Sequence, residues 1–538
     1  MKTSLLQNWQ VSKPALNSTN GLVTAQNTIA AAIGAKVLEE GGNAIDAAVT
    51  TALAMGVLEP WMSGIGGGGL MTIYRAADQT SHVVDFSMVS SGSLDPAAYP
   101  LAQGEGREGG DMFAWPRVKN DANVCGYKSI CVPGAVDGLA LALKNFGSIG
   151  FDSALKPAIE LAEKGVEVNW FTTLVLAIAK EEMSPFAEIS RVFLPGGKIP
   201  AAPANGNAGP LMRQPRLSVI LRHLAENGPR AFYEGSLAHS IVQDTKDGGG
   251  FLTLDDLAGY RAEIVEPLVF SYRDAVISTT PGLTAGPTLC LALKNLTLGL
   301  NPKNPLDGAA LLAVARALKS AYETRFALMG HAGKNNSCTT HLNVVDGEGN
   351  MVALTNTLLS RFGSKIVLPQ SGILMNNAMM WFDPRPGNPN SIAAGVKPLC
   401  NMCPTIVRRS NGSRLALGAA GGRQIVSAVS LLISLIVDHG MSLEQAIHQP
   451  RIDMSGGAEV VLDERLEQDW IDTIKAAMPA KLARSSVYPV LFAIASALER
   501  DQNSGLNSGV AELSHPLAGV VAATMAATMS ETMSGGAL

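Results

Sequence analysis

A hairpin pattern in the second half of the chain constrains the fold more than any other stretch. The segments HLNVVD (residues 341–346) and MVALTNT (residues 351–357) have the apolar, β-branched composition of buried strands, and GEGN between them supplies turn residues. The loop-like residues NNSC come before the first segment, and two threonines, Thr339 and Thr340, mark the change from loop to strand. This pattern predicts a hairpin inside a sheet, with a loop directly before its first strand.

Helical patterns accompany strand patterns in the rest of the chain. Residues 27–60 are typical of two helices, and the glycine-rich GIGGGG (residues 64–69) then leads into the strand patterns LMTIY and SHVVDFS. Residues 150–260 have mainly helical periodicity. The mixture predicts an α/β fold with helices packed on sheet faces, and 538 residues allow about one to three domains.

The overall composition excludes some classes of partner. Hydrophobic residues make up 47% of the chain and charged residues 16%, which is typical of a globular protein with a large core. Lys+Arg less Asp+Glu is 41 − 46 = −5. Because a mildly acidic protein without a basic stripe binds nucleic acid poorly, we expect no nucleic-acid partner.

Two apolar stretches bear on membrane contact and localisation. The first 21 residues lack the apolar core of a signal peptide, so we expect a cytoplasmic protein, with a periplasmic location as the less favoured alternative. The longest apolar run, IVSAVSLLISLIV (residues 425–437), contains serines and is shorter than the ~18 residues that cross a bilayer. It predicts a buried helix, and we expect no membrane partner.

The cysteines give a weak indication of a metal or redox site. Cys400 and Cys403 form a C-x-x-C motif, but a four-thiolate zinc site needs a second close pair. Cys125 and Cys131 are separated by five residues, which is too wide for the usual zinc knuckle. Buried, packed thiols are the favoured interpretation over zinc or redox chemistry, and we expect neither a metal nor another cofactor.

The threonine at the loop-to-strand junction suggests a specific chemistry. A threonine hydroxyl is a weak nucleophile, and the residue's own α-amino group can activate it. That amine is free only if the bond before Thr339 is cleaved, as happens in N-terminal-nucleophile hydrolases. The motif TTH is also common at the start of an ordinary strand, because threonine is a good strand former.

Motifs along nearly the whole chain favour the catalytic interpretation. From about residue 27 to about residue 522 the chain resembles the γ-glutamyltranspeptidase family, through segments that occur in the family's order. These are EEGGNAIDAAVTTALAMGVLEP with GIGGGG, VPGAVDGL, ENGPRAFYEG, GGGFLTLDDLAGYRA, CTTHLNVVDGEGNMVALTNT, SGILMNNAM, KPLCNMCPTIV and LGAAGGRQI.

The resemblance implies a four-layer αββα sandwich of the N-terminal-nucleophile hydrolase type. Two subunits of one precursor would form it as a heterodimer: residues 1–338 as the large subunit and residues 339–538 as the small one. Cleavage would fall between Cys338 and Thr339, with Cys338 as an alternative nucleophile.

We expect a weakly ordered tail from about residue 519.

The resemblance also assigns catalytic roles. Thr339 would be the nucleophile and its new amine the base, while the hydroxyl of Thr357 would support the nucleophile. Gly421 and Gly422 match the pair whose backbone N–H groups form the oxyanion hole, where glycine lets the backbone approach the substrate closely. A simple strand-to-helix turn is the other interpretation of this glycine pair.

The chain departs from the family at the positions that grip the γ-glutamyl group. Ser87 stands where transpeptidases have an arginine for the α-carboxylate, and residues 379–381 (Met, Met, Trp) replace the acidic residues that hold the α-amine. Serine cannot replace a bidentate guanidinium, and tryptophan cannot pair with an ammonium. We therefore expect a more apolar pocket, with Trp381 able to stack on an aromatic acyl group.

Other departures lie beside the same motifs. Leu359 replaces an asparagine two positions after the supporting threonine, and Cys400 and Asn401 replace a serine pair. Arg361 and Arg423 are candidates for binding a substrate carboxylate, or are structural arginines. The loop GHAGKNNSC before Thr339 is several tens of residues shorter than in the family, which restricts movement of the chain end after cleavage.

These observations predict an autoprocessing threonine amidohydrolase or acyltransferase that acts on a small-molecule amide with altered acyl specificity. One alternative is a true γ-glutamyltransferase or glutathione hydrolase with a relocated substrate grip. A second alternative is a non-catalytic scaffold that retains the fold.

Overall fold

The computed structural model describes residues 11–102, 115–302, 304–331, 341–484 and 492–524. The strands in these ranges, numbered in chain order, are β1 (Leu16–Ser18), β2 (Gly21–Ala25), β3 (Gly68–Tyr74), β4 (Ser81–Phe86), β5 (Val166–Glu167), β6 (Leu211–Met212), β7 (Glu263–Val265), β8 (Leu268–Tyr272), β9 (Ala275–Thr279), β10 (His341–Asp346), β11 (Met351–Thr357), β12 (Thr405–Arg409), β13 (Ser413–Ala420), β14 (Ile452–Asp453), β15 (Val460–Asp463), β16 (Ala480–Ala483), β17 (Ile494–Asp501), β18 (Asn507–Ala511) and β19 (Gly519–Ala522).

The α-helices in the same ranges are α1 (Thr28–Glu39), α2 (Ala44–Leu58), α3 (Ala135–Phe146), α4 (Phe151–Lys164), α5 (Trp170–Met183), α6 (Ala187–Phe193), α7 (Pro215–Asn227), α8 (Gly235–Asp247), α9 (Leu254–Gly259), α10 (Gly286–Gly299), α11 (Gly308–Leu328), α12 (Gln424–Val437), α13 (Leu443–His448) and α14 (Gln468–Ala477). The two helices expected within residues 27–60 are α1 and α2. Asn43 starts α2 with a capping box that includes Asp46.

Two seven-stranded antiparallel sheets organise the described residues. The first sheet has the order β1-β18-β17-β13-β12-β9-β8, and the second has the order β19-β2-β10-β11-β3-β4-β7. The predicted hairpin is the β10–β11 pair at the centre of the second sheet, with His341 opposite Thr355 and Val345 opposite Met351. Both sheets are therefore built from segments on either side of residue 339.

The inner faces of the two sheets pack on each other. Leu22, Val345, Ile406 and Leu498 belong to one buried apolar cluster that joins the sheets. Hydrogen bonds also cross the interface, since Asn343 Nδ2 donates to the carbonyl oxygen of Ser496 at 3.1 Å. A buried amide with such a partner avoids the cost of an unsatisfied polar group and adds register specificity between the sheets.

Helices cover the outer faces. Helices α1–α4, α7 and α8 contribute to one large apolar cluster with strands of the second sheet, and α10–α13 contribute to another with strands of the first. The four layers are therefore α, β, β and α, as the resemblance to the family implies. Residues 425–437 form most of α12, which is buried against the first sheet as expected. None of the helices in the described ranges combines the length and hydropathy needed to span a bilayer.

The C-terminal segment corrects one expectation. Gly519 pairs with Ala25 and Ala522 with Leu22, so β19 is an edge strand of the second sheet. The prediction of a weakly ordered tail from about residue 519 is wrong for these four residues. The free edge of β2 offers unpaired backbone groups that β19 satisfies, which a local reading of composition could not reveal. Residues 525–538 lie outside the described residues.

Candidate active site

Thr357, Gly68 and Ser87 lie side by side at one end of the second sheet. Thr357, the last residue of β11, lies opposite Gly68 of β3. Gly69 of β3 in turn lies opposite Phe86 of β4, so that Ser87 follows at the end of β4 beside Gly68. Since neighbouring strands are about 4.8 Å apart, the backbones of Thr357 and Ser87 are about 10 Å apart.

Glycine is required where β3 approaches β11. A Cβ atom on Gly67 would lie 2.0 Å from the carbonyl oxygen of Thr357, and one on Gly69 would lie 2.2 Å from that of Thr355. No side chain fits at these distances. The glycine run therefore serves close backbone approach around the candidate supporting threonine.

Thr357 holds a strained turn in place. Its side chain is fully buried, and its Oγ1 accepts a hydrogen bond from the backbone N–H of Leu359 at 2.8 Å. Leu359 has φ +86°, a conformation that bulky residues rarely adopt. Phe362 and Lys365 in the same loop also have positive φ values, +58° and +64°. Such strain is typical of functional sites, where the surrounding structure enforces it.

Gly421 and Gly422 form the turn between β13 and α12. Their φ values, +147° and +60°, suit glycine, and the space for a Cβ on Gly421 is taken by Ala493, whose Cα would be 2.8 Å away. Among the hydrogen bonds of the described residues, none has the N–H of Gly421 or Gly422 as donor. Two such N–H groups at the positive end of a 14-residue helix can stabilise an oxyanion.

Most of the positions that depart from the family pattern lie in one apolar cluster. Trp381 and the two methionines before it are buried there with Leu359 and Cys400. Met88 also belongs to the cluster, so Ser87, its neighbour in sequence, lies next to it. Ser87 Oγ and Trp381 Nε1 are buried and have no hydrogen-bond partner among the described residues. The cluster is therefore apolar and closely packed, and these two polar atoms lie beside it without a partner among the described residues.

Arg325 fixes the segment that replaces the serine pair. The residue is 1% exposed, and its guanidinium donates to the carbonyl oxygen of Cys400 at 2.6 Å and to Asn401 Oδ1 at 2.9 Å. Sequence reasoning missed this residue. The signal was available, because Arg325 follows Leu318 and Tyr322 at helical spacing and so shares the buried face of α11.

The C-x-x-C motif is a pair of buried residues. Cys400 and Cys403 are both essentially inaccessible, as expected for packed thiols. Burial raises the pKa of Cys403 to about 12, so its thiol stays protonated at neutral pH and is unreactive.

The two arginine candidates occupy different places. The guanidinium of Arg423 lies 5.0 Å from the ring centroid of Phe326 and 5.6 Å from that of Trp115, which packs against the apolar cluster. Arg423 therefore stands between the glycine turn and this apolar cluster. Arg361 lies in the strained loop after Thr357, where its carbonyl oxygen accepts a hydrogen bond from Lys365 Nζ.

The predicted nucleophile Thr339 and the alternative Cys338 lie outside the described residues. The first described residue after them is His341, which is fully buried. His341 Nε2 lies 2.8 Å from Asn343 Oδ1, and Nδ1 lies 3.0 Å from Thr355 Oγ1. Burial lowers the pKa of His341 to about 4, so the ring is neutral at pH 7. The carboxamide oxygen can only accept, which assigns the ring proton to Nε2.

Comparisons with known proteins give a consistent result. The family model described as gamma-glutamyltranspeptidase matches residues 30–336 and 329–517. The chain is 32% identical over 483 residues to the acylase ACY 1 proenzyme of Pseudomonas sp. (strain SE83), covering 83% of this chain and 84% of the relative. It is 29% identical over 490 residues to the glutathione hydrolase proenzyme of Escherichia coli (strain K12), covering 81% of each.

A solved structure supports the fold. The crystal structure of cephalosporin acylase from Bacillus halodurans is similar with a TM-score of 0.79 and 23% identity, over 97% of this chain and 99% of that one. At this identity the similarity concerns the fold alone.

Proposed function

Because the chain belongs to the gamma-glutamyltranspeptidase family, we propose that it cleaves an amide bond through an acyl ester on Thr339. The family contains amide-hydrolysing and acyl-transferring N-terminal-nucleophile enzymes. The relatives named above are proenzymes, which supports cleavage of this chain into residues 1–338 and 339–538. The two products remain together, since each sheet draws strands from both.

The proposed chemistry follows from the residues around the junction. Cleavage before Thr339 frees its α-amine, which takes the proton from the threonine hydroxyl as that oxygen attacks the substrate carbonyl. The N–H groups of Gly421 and Gly422 stabilise the negative oxygen of the tetrahedral intermediate. The protonated amine then gives its proton to the leaving nitrogen. Water hydrolyses the resulting ester, or an amine acceptor takes the acyl group.

We propose that the acyl group is uncharged and largely apolar. The observation that carries this proposal is the alignment of Thr357, Gly68 and Ser87 at the sheet end, with Trp381 in the adjoining apolar cluster. A γ-glutamyl group would bring a carboxylate and an ammonium to this cluster. Burying either charge without a partner is costly, so the pocket selects against it.

One observation favours the second candidate, γ-glutamyl chemistry with a relocated grip. Arg385 and Arg423 both lie over the ring of Trp115, at 5.8 and 5.6 Å from its centroid. Arg385 is already engaged by Asp383 in a bidentate pair, with Nε to Oδ1 at 2.9 Å and Nη2 to Oδ2 at 2.6 Å. For this reason we rank the uncharged acyl group first.

Two measurements test the proposal. Intact masses of the wild type and Thr339→Ala are compared first: fragments of roughly 35 and 21 kDa are expected in the wild type only, from a 56.1 kDa chain. The processed enzyme is then assayed with p-nitroanilides that differ only in the acyl group: phenylacetyl, butyryl and γ-glutamyl. We expect the uncharged anilides to react faster. A preference for γ-glutamyl anilide would support the second candidate, and an uncut wild-type chain would support the scaffold alternative.

A further inference from the structure

A buried ion pair lies beside the glycine turn. Arg451, which follows α13, and Glu512, which follows β18, form a salt bridge in which their side chains are 6% and 7% exposed. Burial alone would raise the pKa of Glu512, but the charge of Arg451 and several hydrogen bonds hold this pKa below its usual value. The pair is therefore charged at neutral pH, and such a pair is held rigidly because either partner alone would be costly to bury.

The ion pair fixes the start of β17 from two sides. Arg451 Nη1 donates to the carbonyl oxygen of Ala493 at 2.7 Å, and Glu512 Oε2 accepts from the N–H of Ala495 at 3.2 Å. Glu512 Oε1 accepts from both the N–H and the hydroxyl of Ser514, at 3.2 and 2.9 Å. The backbone of residues 493–495 is thus clamped by both charged groups.

Ala493 in turn determines the space available to Gly421. Ala420 at the end of β13 pairs with Ile494 at the start of β17. Gly421, directly after β13, therefore lies beside Ala493, directly before β17. A Cβ on Gly421 would lie 2.8 Å from Ala493 Cα and 2.9 Å from its Cβ. Gly421 has a φ of +147°. A shift of Ala493 therefore changes the packing against the Gly421 backbone that accompanies this conformation.

We propose that Arg451 and Glu512 are positioning residues for the oxyanion-binding turn, acting on Gly421 through Ala493. The inference rests on the proposed function, because it requires Gly421 to bind the oxyanion. That charge exists only in the transition state and the intermediate. Loosening the turn should therefore lower kcat while leaving KM nearly unchanged.

The experiment compares Arg451→Lys with a matched control, Arg273→Lys. Arg273 lies in the turn between β8 and β9, at the opposite edge of the same sheet. Its Nε pairs with the buried carboxylate of Asp438, at the C-terminal end of α12, at a distance of 2.9 Å. Lysine retains the charge in both variants but loses the planar fork. Each enzyme is assayed with the best anilide of the wild type, and rates are expressed per processed molecule.

We expect Arg451→Lys to lower kcat by about 10-fold to 100-fold with KM within about 3-fold of the wild type. The control should lose thermal stability while its kcat stays within about 2-fold. Ala493→Gly provides a second variant, which keeps the ion pair but removes the methyl group that faces Gly421. It should lower kcat in the same selective way.

Wild-type kcat in both Arg451→Lys and Ala493→Gly would overturn the inference, as would an equal loss in the Arg273→Lys control. These outcomes leave the proposed function intact, because the wild type still turns over amides. A wild type without amide turnover, or a Thr339→Ala variant with undiminished turnover, would instead overturn the proposed function and the inference together.

Discussion

The imidazole of His341 on the second sheet fills the space in front of Gly418 on the first sheet. A Cβ atom on Gly418 would lie 2.4 Å from His341 Cε1 and 2.7 Å from both ring nitrogens. The ring is held by Asn343 and Thr355, so it cannot simply rotate away. The two sheets therefore pack tightly against each other where the candidate catalytic strand begins.

Gly418→Ala should destabilise the protein by about 1–3 kcal/mol, because the added methyl group forces the sheets apart or displaces the ring. The free energy of unfolding from urea denaturation measures this. Gly299→Ala is the control, since a Cβ on Gly299 in α10 would meet no atom within 4 Å. Equal stability of the two variants would contradict the predicted close approach.

The buried ring of His341 should also make stability depend on pH. Its pKa is about 4 in the folded protein and about 6.5 in the unfolded chain. Between these values the unfolded chain binds a proton that the folded protein does not. Stability is therefore lost as the pH falls from 6.5 to 4, by about 3 kcal/mol at most.

The pH effect is measured as the difference in the free energy of unfolding between pH 7.5 and pH 5. His341→Gln should reduce this difference, whatever its own effect on stability at pH 7.5. The exposed residue His239 gives the matched control, His239→Gln. If His341→Gln and the control show the same pH dependence, His341 does not carry the effect.

Glu59 should act in the opposite direction. Burial raises the pKa of Glu59 to about 8, although Asn27 Nδ2 donates to its Oε1 at 3.2 Å. Its Oε2 has no partner among the described residues. From pH 4.5 to pH 8 the unfolded chain is ionised at this group and the folded protein is not, so stability falls as the pH rises.

Glu59→Gln removes this titration and should stabilise the protein at pH 8 by up to about 5 kcal/mol, with little effect at pH 4.5. Thermal melts at both pH values test this. Glu40→Gln at the exposed end of α1 serves as the control. A Glu59→Gln variant that is less stable than the wild type at pH 8 would show that the carboxylate has a partner it needs.

Local patterns predicted the elements of this fold well, and long-range contacts explain what they missed. The hairpin β10–β11 and the buried helix α12 follow from periodicity and turn residues. The alignment of Thr357 with Ser87 depends on the register of strands about 270 residues apart in sequence, which no local pattern contains. The sequence does not reveal the Arg451–Glu512 ion pair either, because an arginine or a glutamate taken alone is typical of an exposed position.

The last prediction concerns the hydroxyl group of Thr357. Thr357→Val keeps the shape of the side chain but removes the acceptor for the N–H of Leu359. The unsatisfied buried N–H should cost about 1–3 kcal/mol of stability, and release of the strained turn should lower kcat/KM by about 100-fold.

Thr357→Ser provides the matched comparison, because it keeps the oxygen and loses only a methyl group. If the hydroxyl matters for the reasons given, serine should lie much closer to the wild type than valine in both stability and kcat/KM. Should valine retain wild-type kcat/KM while serine loses it, the packing of the methyl group would be what the site requires. The supporting role proposed for the Thr357 hydroxyl would then have to be given up, because the acceptor at the end of β11 would be dispensable.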